Sequence, residues 1–250
     1  VPSYALIGYP LGHSFSQRYF TEKFEREGIT DASYELIPLA DLSLLPELLA
    51  QRPELCGLNV TIPHKERILP FLHHLDATAQ AVGAVNCVRI GPDGRLTGFN
   101  TDVIGFEETV WAFAGEAVRA LVLGTGGAAK AAAYVFQKRG LPFQWVSRRE
   151  RVEGAVSYES AFSPHNDDGR PLLLVNATPV GTFPRTDEMP PVPLSFFRLG
   201  MFVYDMTYNP AETLLLRIAK EKGCAVKNGM EMLEKQAAAA WDIWQSPTVL

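Results

Sequence analysis

Short apolar runs, each closed by glycine, proline or a polar cluster, recur along the 250 residues of the chain. Tyr4, Ala5, Leu6 and Ile7 read as a buried strand that ends on Gly8. A polar turn leads to a helix that stops at Gly28, with Phe15, Tyr19, Phe20 and Phe24 at helical spacing. Residues 33–39 predict a second strand, and Asp41 a cap for the helix carrying Leu42, Leu45, Leu48 and Leu49. Leu55, Leu58 and Val60 mark a third strand. It gives way to a short helix at Pro63, because proline fixes φ near the helical value and is tolerated at the first helical position. Residues 84–90 and 95–99 predict a hairpin around Gly91, Pro92, Asp93 and Gly94.

A long helix then opens at Asn100, Thr101 and Asp102 and ends near Gly115. Beyond it a second alternating series begins: a strand at 119–123, a glycine turn with an alanine-rich helix at 124–140, and strands at 143–147, 172–176 and 202–206. A helix at 213–222, a very short strand at 225–227 and a last helix at 230–244 complete it. Residues 151–170 are polar and weakly periodic and predict no element. Two β/α series joined by one long helix predict an α/β chain of two domains with a cleft between them.

Composition narrows the class. With 47% hydrophobic and 20% charged residues and a net charge of −5, the chain reads as a soluble globular protein with no global field for nucleic acid or an anionic membrane. Cys56, Cys87 and Cys224 are far apart, which argues against a disulfide framework or a metal site and suits a reducing cytoplasm. The longest apolar runs are strand-sized, and no basic segment precedes a long apolar one, so neither a membrane span nor a secretory signal is expected.

Candidate chemistry sits where strands end. Asn59, Thr61 and Lys65 surround Pro63, and taken alone they read as a capped helix start with a solvated lysine. Ser14 and Ser16 follow the first strand, and Asp102 opens the long helix as a possible N-cap. Asn86 lies inside an otherwise apolar strand, either buried with partners or outward-facing on an edge, and Gln236 on the last helix poses the same choice. So many polar residues after apolar strands in one half of the chain suit a small, polyhydroxylated, carboxylated ligand. In the other half, Gly124, Gly126 and Ala129 stand between an apolar strand and a helix. That is the setting in which glycines let a backbone approach a pyrophosphate and the helix N-terminus carries the anion. The next strand ends on Ser147, Arg148 and Arg149, with arginine where an NAD site usually has a carboxylate, which favours NADP.

These motifs, in this order along almost the whole chain, resemble the shikimate dehydrogenase family. The segment from Gly8 to Ser16 is similar to the family's carboxylate-binding serine motif, and Asn59 to Lys65 to its catalytic lysine motif. Gly83 to Asn86 and Gly98 to Gly105 resemble the segments that complete the substrate site. Asn176 to Gly181, Tyr204 to Tyr208 and Gly229 to Gln236 resemble later cofactor- and substrate-side elements. Gln17, Cys87 and Ser147 depart from a usual proline, threonine and asparagine.

The resemblance implies an N-terminal substrate domain, residues 1–100 with 229–250, and a Rossmann-like NADP-binding domain, residues 101–228. It implies reversible reduction of 3-dehydroshikimate to shikimate by NADPH in aromatic amino acid biosynthesis, by a monomer or homodimer. Lys65 and Asp102 would be catalytic, and Ser14, Ser16, Asn59, Thr61, Asn86, Tyr208 and Gln236 would bind substrate. Gly124, Gly126, Gly127, Ala128, Ser147, Arg148, Thr178, Met206 and Gly229 would hold the cofactor.

Overall fold

The computed structural model describes residues 1–12, 15–148, 153–163 and 168–246. The chain divides into two compact units, residues 1–101 with 236–250 and residues 102–235.

The first unit contains β1 (Ser3–Gly8), α1 (Phe15–Glu27), β2 (Ser33–Pro38), α2 (Leu45–Gln51), β3 (Leu55–Val60), β4 (His74–Leu75), α3 (Ala77–Val82), β5 (Cys87–Ile90) and β6 (Leu96–Phe99). Its sheet runs β2-β1-β3-β5-β6-β4; β1 is parallel to both neighbours, and β5 is antiparallel to β3 and β6. Every residue of β1 is buried because both faces of the sheet are covered. Side chains alternate along a strand. Ala5 and Ile7 therefore join Leu42, Leu45, Leu58 and Val88 in one core. Tyr4 and Leu6 join Phe20, Phe24, Tyr34, Trp241 and Trp244 in the other.

The end of the last helix belongs to this second core. Trp244 stacks on Tyr4 at 4.7 Å between ring centroids, and its Nε1–H donates to the Val88 carbonyl at 3.0 Å. Gly57 lies directly beneath; an added Cβ there would overlap the indole. A glycine in a strand interior is unfavourable, and here close approach of another side chain explains it.

Two expected elements differ. Pro63 starts no helix: the chain after Val60 runs in turns, with a 3-10 turn at Leu69–Phe71. The Lys65 carbonyl, which a helix would offer to residue 69, instead accepts the Val85 N–H at 2.8 Å. Nor does the hairpin's first strand begin at residue 84. It begins at Cys87, so Asn86 precedes the strand rather than lying inside it. The Val85 N–H is taken by Lys65, and the Ala84 carbonyl accepts from Asn100 Nδ2 at 2.9 Å, which withdraws both residues from the ladder. The rest of the hairpin is as expected, with Cys87 opposite Phe99 and Ile90 opposite Leu96.

α4 (Thr101–Ala114) leads into the second unit, which holds β7 (Arg119–Leu123), α5 (Gly127–Arg139), β8 (Phe143–Val146), β9 (Ala155–Val156), α6 (Tyr158–Ala161), β10 (Leu172–Asn176), β11 (Phe202–Asp205), α7 (Leu214–Glu221), β12 (Ala225–Lys227) and the start of α8 (Met230–Gln245). All six strands are parallel, in the order β12-β11-β10-β7-β8-β9. This is the doubly wound order of a dinucleotide-binding sheet, whose strand sequence reverses between its first and fourth strands, here β7 and β10. Leu121, Leu123, Leu172, Leu174 and Val203 form the core with Leu215 and Leu216 of α7. Strands covered on both faces read as continuous apolar runs, which is why these were legible in the sequence. Among the described residues no helix is long and apolar enough to cross a membrane, and no group of three His, Cys, Asp or Glu side chains could hold a metal ion.

Candidate active site

Strand direction gathers the polar residues of the first unit. Asn59, near the end of β3, pairs with Cys87 at the start of β5, and Cys87 pairs with Phe99 at the end of β6. One edge of the sheet therefore carries Asn59, Thr61, Asn86, Asn100 and Thr101 together. Asn86 is only 3% exposed, which resolves the alternatives in favour of a buried, partnered side chain. Its Oδ1 accepts the Thr101 N–H at 2.7 Å, and its Nδ2 donates to Thr101 Oγ1 at 3.0 Å and to Gln236 Oε1 at 3.3 Å. Gln236 is likewise buried, so α8 contributes to this cluster directly. Buried amides demand such partners, since each unpaired group costs about 1–3 kcal/mol.

Asn59 is buried beside them. Its Nδ2 donates to the Asn86 carbonyl at 3.4 Å, and its Oδ1 accepts from the Tyr34 hydroxyl at 2.8 Å. Ser16, in the first turn of α1, is buried and hydrogen-bonds the same phenol. Ser14 lies outside the described residues. Thr61 is half-buried; its N–H donates to the Ile7 carbonyl and its carbonyl accepts from His64, both at 2.9 Å. His64 is buried, with Nε2 2.5 Å from the Leu39 carbonyl, and so pins the chain immediately before Lys65. Lys65 is half-buried in the first unit, and Asp102, buried in the first turn of α4, opens the second.

In the second unit the glycine turn sits at the strand-order reversal. Gly124 has φ +102°, which L side chains rarely adopt, and a Cβ there would lie 3.2 Å from Thr178 Cγ2. Gly126 is the N-cap of α5, and a Cβ on it would meet no atom within 4 Å. The backbone at this helix start, with Gly127 and Ala128 in its first turn, is thus open to close approach by an anion, where N–H groups lack intrahelical acceptors. Ser147 is buried at the end of β8 and Arg148 is exposed beside it; Arg149 lies outside the described residues. Burial pushes the Tyr158 phenol up, and the nearby Arg148 charge partly offsets this. An open helix start with an arginine at the end of the adjacent strand fits a dinucleotide bearing a 2′-phosphate.

Thr178, Met206, Tyr208 and Gly229 belong to one connected set of loops. The Thr178 hydroxyl donates to Asn176 Oδ1 at 2.6 Å, and Asn176 Nδ2 donates to Asp205 Oδ1 at 3.0 Å. Asp205 also accepts from the Thr207 N–H at 3.0 Å and the Thr213 hydroxyl at 2.7 Å. Burial raises the Asp205 carboxyl above its ordinary value, and these donors oppose the shift. The Met206 N–H donates to the Asn176 carbonyl at 3.0 Å, and the Gly229 N–H to the Thr207 carbonyl at the same distance. Gly229 is packed so closely on Met206 that a Cβ would overlap the methionine carbonyl. Half-buried Tyr208 follows on the same loop.

Tyr34, Asn176 and Asp205 were not among the expected site residues. Asn176 and Asp205 carried a usable signal, since each is the polar last residue of an apolar parallel strand. Tyr34 carried none, because its hydroxyl meets Asn59 only through the pairing of β2, β1 and β3.

Residues 6–88 match the model of the shikimate dehydrogenase substrate binding domain. The chain is 35% identical to the shikimate dehydrogenase (NADP+) of Moorella thermoacetica, over 96% of this chain and 86% of that protein. It is 36% identical to the corresponding protein of Geobacillus kaustophilus, over 96% and 91%. The crystal structure of shikimate 5-dehydrogenase from Thermus thermophilus in complex with NADP(H) and shikimate matches with a TM-score of 0.83 at 35% identity, covering 98% of this chain and 94% of that one.

Proposed function

The chain belongs to the shikimate dehydrogenase family, and on that premise we propose that it catalyses the reversible, NADPH-dependent reduction of 3-dehydroshikimate to shikimate, a step toward the aromatic amino acids. The first unit is the substrate domain in this reading and the second the NADP-binding domain. The observation that carries it is the buried cluster of Ser16, Asn59, Asn86 and Gln236 at one sheet edge. Paired amides and a hydroxyl of this kind suit a ligand of several hydroxyls and a carboxylate. Ser14 and Ser16 bond the carboxylate, and Asn59, Thr61, Asn86 and Gln236 bond the hydroxyls.

Gly124, Gly126, Gly127 and Ala128 receive the cofactor pyrophosphate, Ser147 and Arg148 the adenosine 2′-phosphate, and Thr178, Met206 and Gly229 line the nicotinamide side, while Tyr208 contacts the substrate. When bound, NADPH supplies the hydride equivalent. Lys65 donates the proton to the ketone oxygen as negative charge develops there, and in the oxidation direction the neutral amine takes it back. Asp102 orients Lys65 and the same hydroxyl. A missing hydroxyl is rejected strongly by such a site, because buried polar groups are then left unpaired.

The test is steady-state kinetics on shikimate and quinate, each with NADP+ and NAD+. The highest kcat/KM is expected for shikimate with NADP+. Equal or better turnover of quinate, or with NAD+, overturns the substrate or cofactor assignment, and no turnover of any pair overturns the enzyme.

A further inference from the structure

Tyr34 lies on β2, two strands away from Asn59, yet the pleat aims both at one face. Tyr34 pairs with Tyr4, Asn59 pairs with Leu6, and Tyr4 and Leu6 are two residues apart on β1. The ring is held by stacking on Phe20 at 4.3 Å between centroids, 20° from parallel, with Trp244 at 6.4 Å. Its hydroxyl then falls 2.8 Å from Asn59 Oδ1 and within hydrogen-bonding reach of Ser16. We infer that Tyr34 is a positioning residue for the substrate site, fixing the Asn59 amide with its oxygen turned inward and its N–H presented to a ligand oxygen.

A phenol has a single proton to give, and an amide oxygen is an acceptor only. Tyr34 therefore donates to Asn59, and its oxygen accepts the single Ser16 proton until a bound carboxylate takes that proton instead. Burial pushes the Tyr34 phenol far above its ordinary value, so it keeps its proton at any working pH. The remaining half of Asn59, Nδ2, is held by the Asn86 carbonyl only at 3.4 Å, a long bond that leaves donor capacity for a ligand. Without the phenol only the long bond to the Asn86 carbonyl distinguishes the two amide orientations, and the flipped one would present a ligand with an acceptor in place of a donor.

This inference rests on the functional reading above and deepens it. Tyr34→Phe keeps the ring stack and removes only the hydroxyl, and its thermal midpoint checks that the fold survives. The expected result is a KM for shikimate raised about tenfold, as for loss of one buried hydrogen bond, with the KM for NADP+ unchanged. In an Asn59→Ala background the same substitution is expected to have almost no further effect, the mark of acting through Asn59. Calorimetric titration with shikimate alone should reproduce both results. Equal shifts in both KM values, or an undiminished effect in the Asn59→Ala background, overturn the inference. So does an unchanged shikimate KM in Tyr34→Phe while the wild-type chain turns over shikimate, and in that case the functional reading stands. A wild-type chain that neither binds nor oxidises shikimate overturns both.

Discussion

Asn86 is the residue on which the structure makes its most specific demand. Replacing it with alanine removes the acceptor 2.7 Å from the Thr101 N–H and the donor to Thr101 Oγ1 and Gln236 Oε1. Thr101 is fully buried and is the first residue of α4, where an N–H has no intrahelical acceptor. Left without that acceptor, the buried N–H alone costs about 1–3 kcal/mol, and each of the two other bonds adds about 1 kcal/mol. A total of about 3–5 kcal/mol is a large part of the roughly 5–15 kcal/mol that holds a typical domain together. At about 2–4 °C per kcal/mol for a chain of this size, Asn86→Ala should lower the unfolding midpoint of the first unit by roughly 6–20 °C. Asn86→Asp should cost less, because it keeps an acceptor for Thr101 N–H and places negative charge at a helix start. Calorimetry with tryptophan emission follows the change, since Trp241 and Trp244 report from the core of the first unit. An alanine variant within about 2 °C of wild type, or an aspartate variant worse than alanine, would refute the claim that Asn86 caps α4 from a neighbouring segment.

The remaining predictions probe other parts of the same design. Lys65→Ala should lose about 10²–10⁴-fold in turnover while NADPH affinity, read by cofactor fluorescence, stays at the wild-type value; wild-type-like turnover would sink the proton-transfer assignment. Arg148→Ala should raise the KM for NADPH but not for NADH, and an equal change for both would show that the guanidinium does not read the 2′-phosphate. Gly57→Ala should destabilise the first unit by about 2–4 kcal/mol, from overpacking against Trp244 and loss of its bond to Val88; an unshifted melt would mean that the indole moves aside freely. For Asp205, whose folded-state pKa is raised above the ordinary 3.8, the native state holds the proton more tightly than the unfolded chain. Its contribution is fully present below 3.8 and lost as pH rises through the raised value. Asp205→Asn should therefore gain in midpoint relative to wild type as pH is raised from about 4 toward neutrality, and a difference independent of pH would contradict the assignment.

How much of this was legible in the sequence depended on whether the information was local. The parallel strands of the second unit announced themselves, because Leu121, Val122 and Leu123, or Leu172, Leu173 and Leu174, are buried on both faces and cannot tolerate polar interruption. The glycine turn was equally readable: Gly124 needs positive φ and Gly126 needs open space, both local requirements. The misreadings came where a distant backbone group took the bond that local rules reserve for a neighbour. Pro63 followed by a polar run looks like a helix start until the Val85 N–H claims the Lys65 carbonyl. Asn86 looks like part of a strand for the same reason in reverse, since residues 84 and 85 have already given their backbone groups to Asn100 and Lys65. That exchange has a consequence for chemistry. A helix after Pro63 would have set Lys65 by its own regular geometry. Instead, Lys65 is placed by His64 on Leu39 and by Val85 on its own carbonyl, two tethers from different segments of the first unit. The orientation of the proposed proton donor is therefore a property of the folded sheet edge that also holds Asn59 and Asn86. A substitution that loosens Val85 or His64 should act on turnover before it acts on cofactor binding.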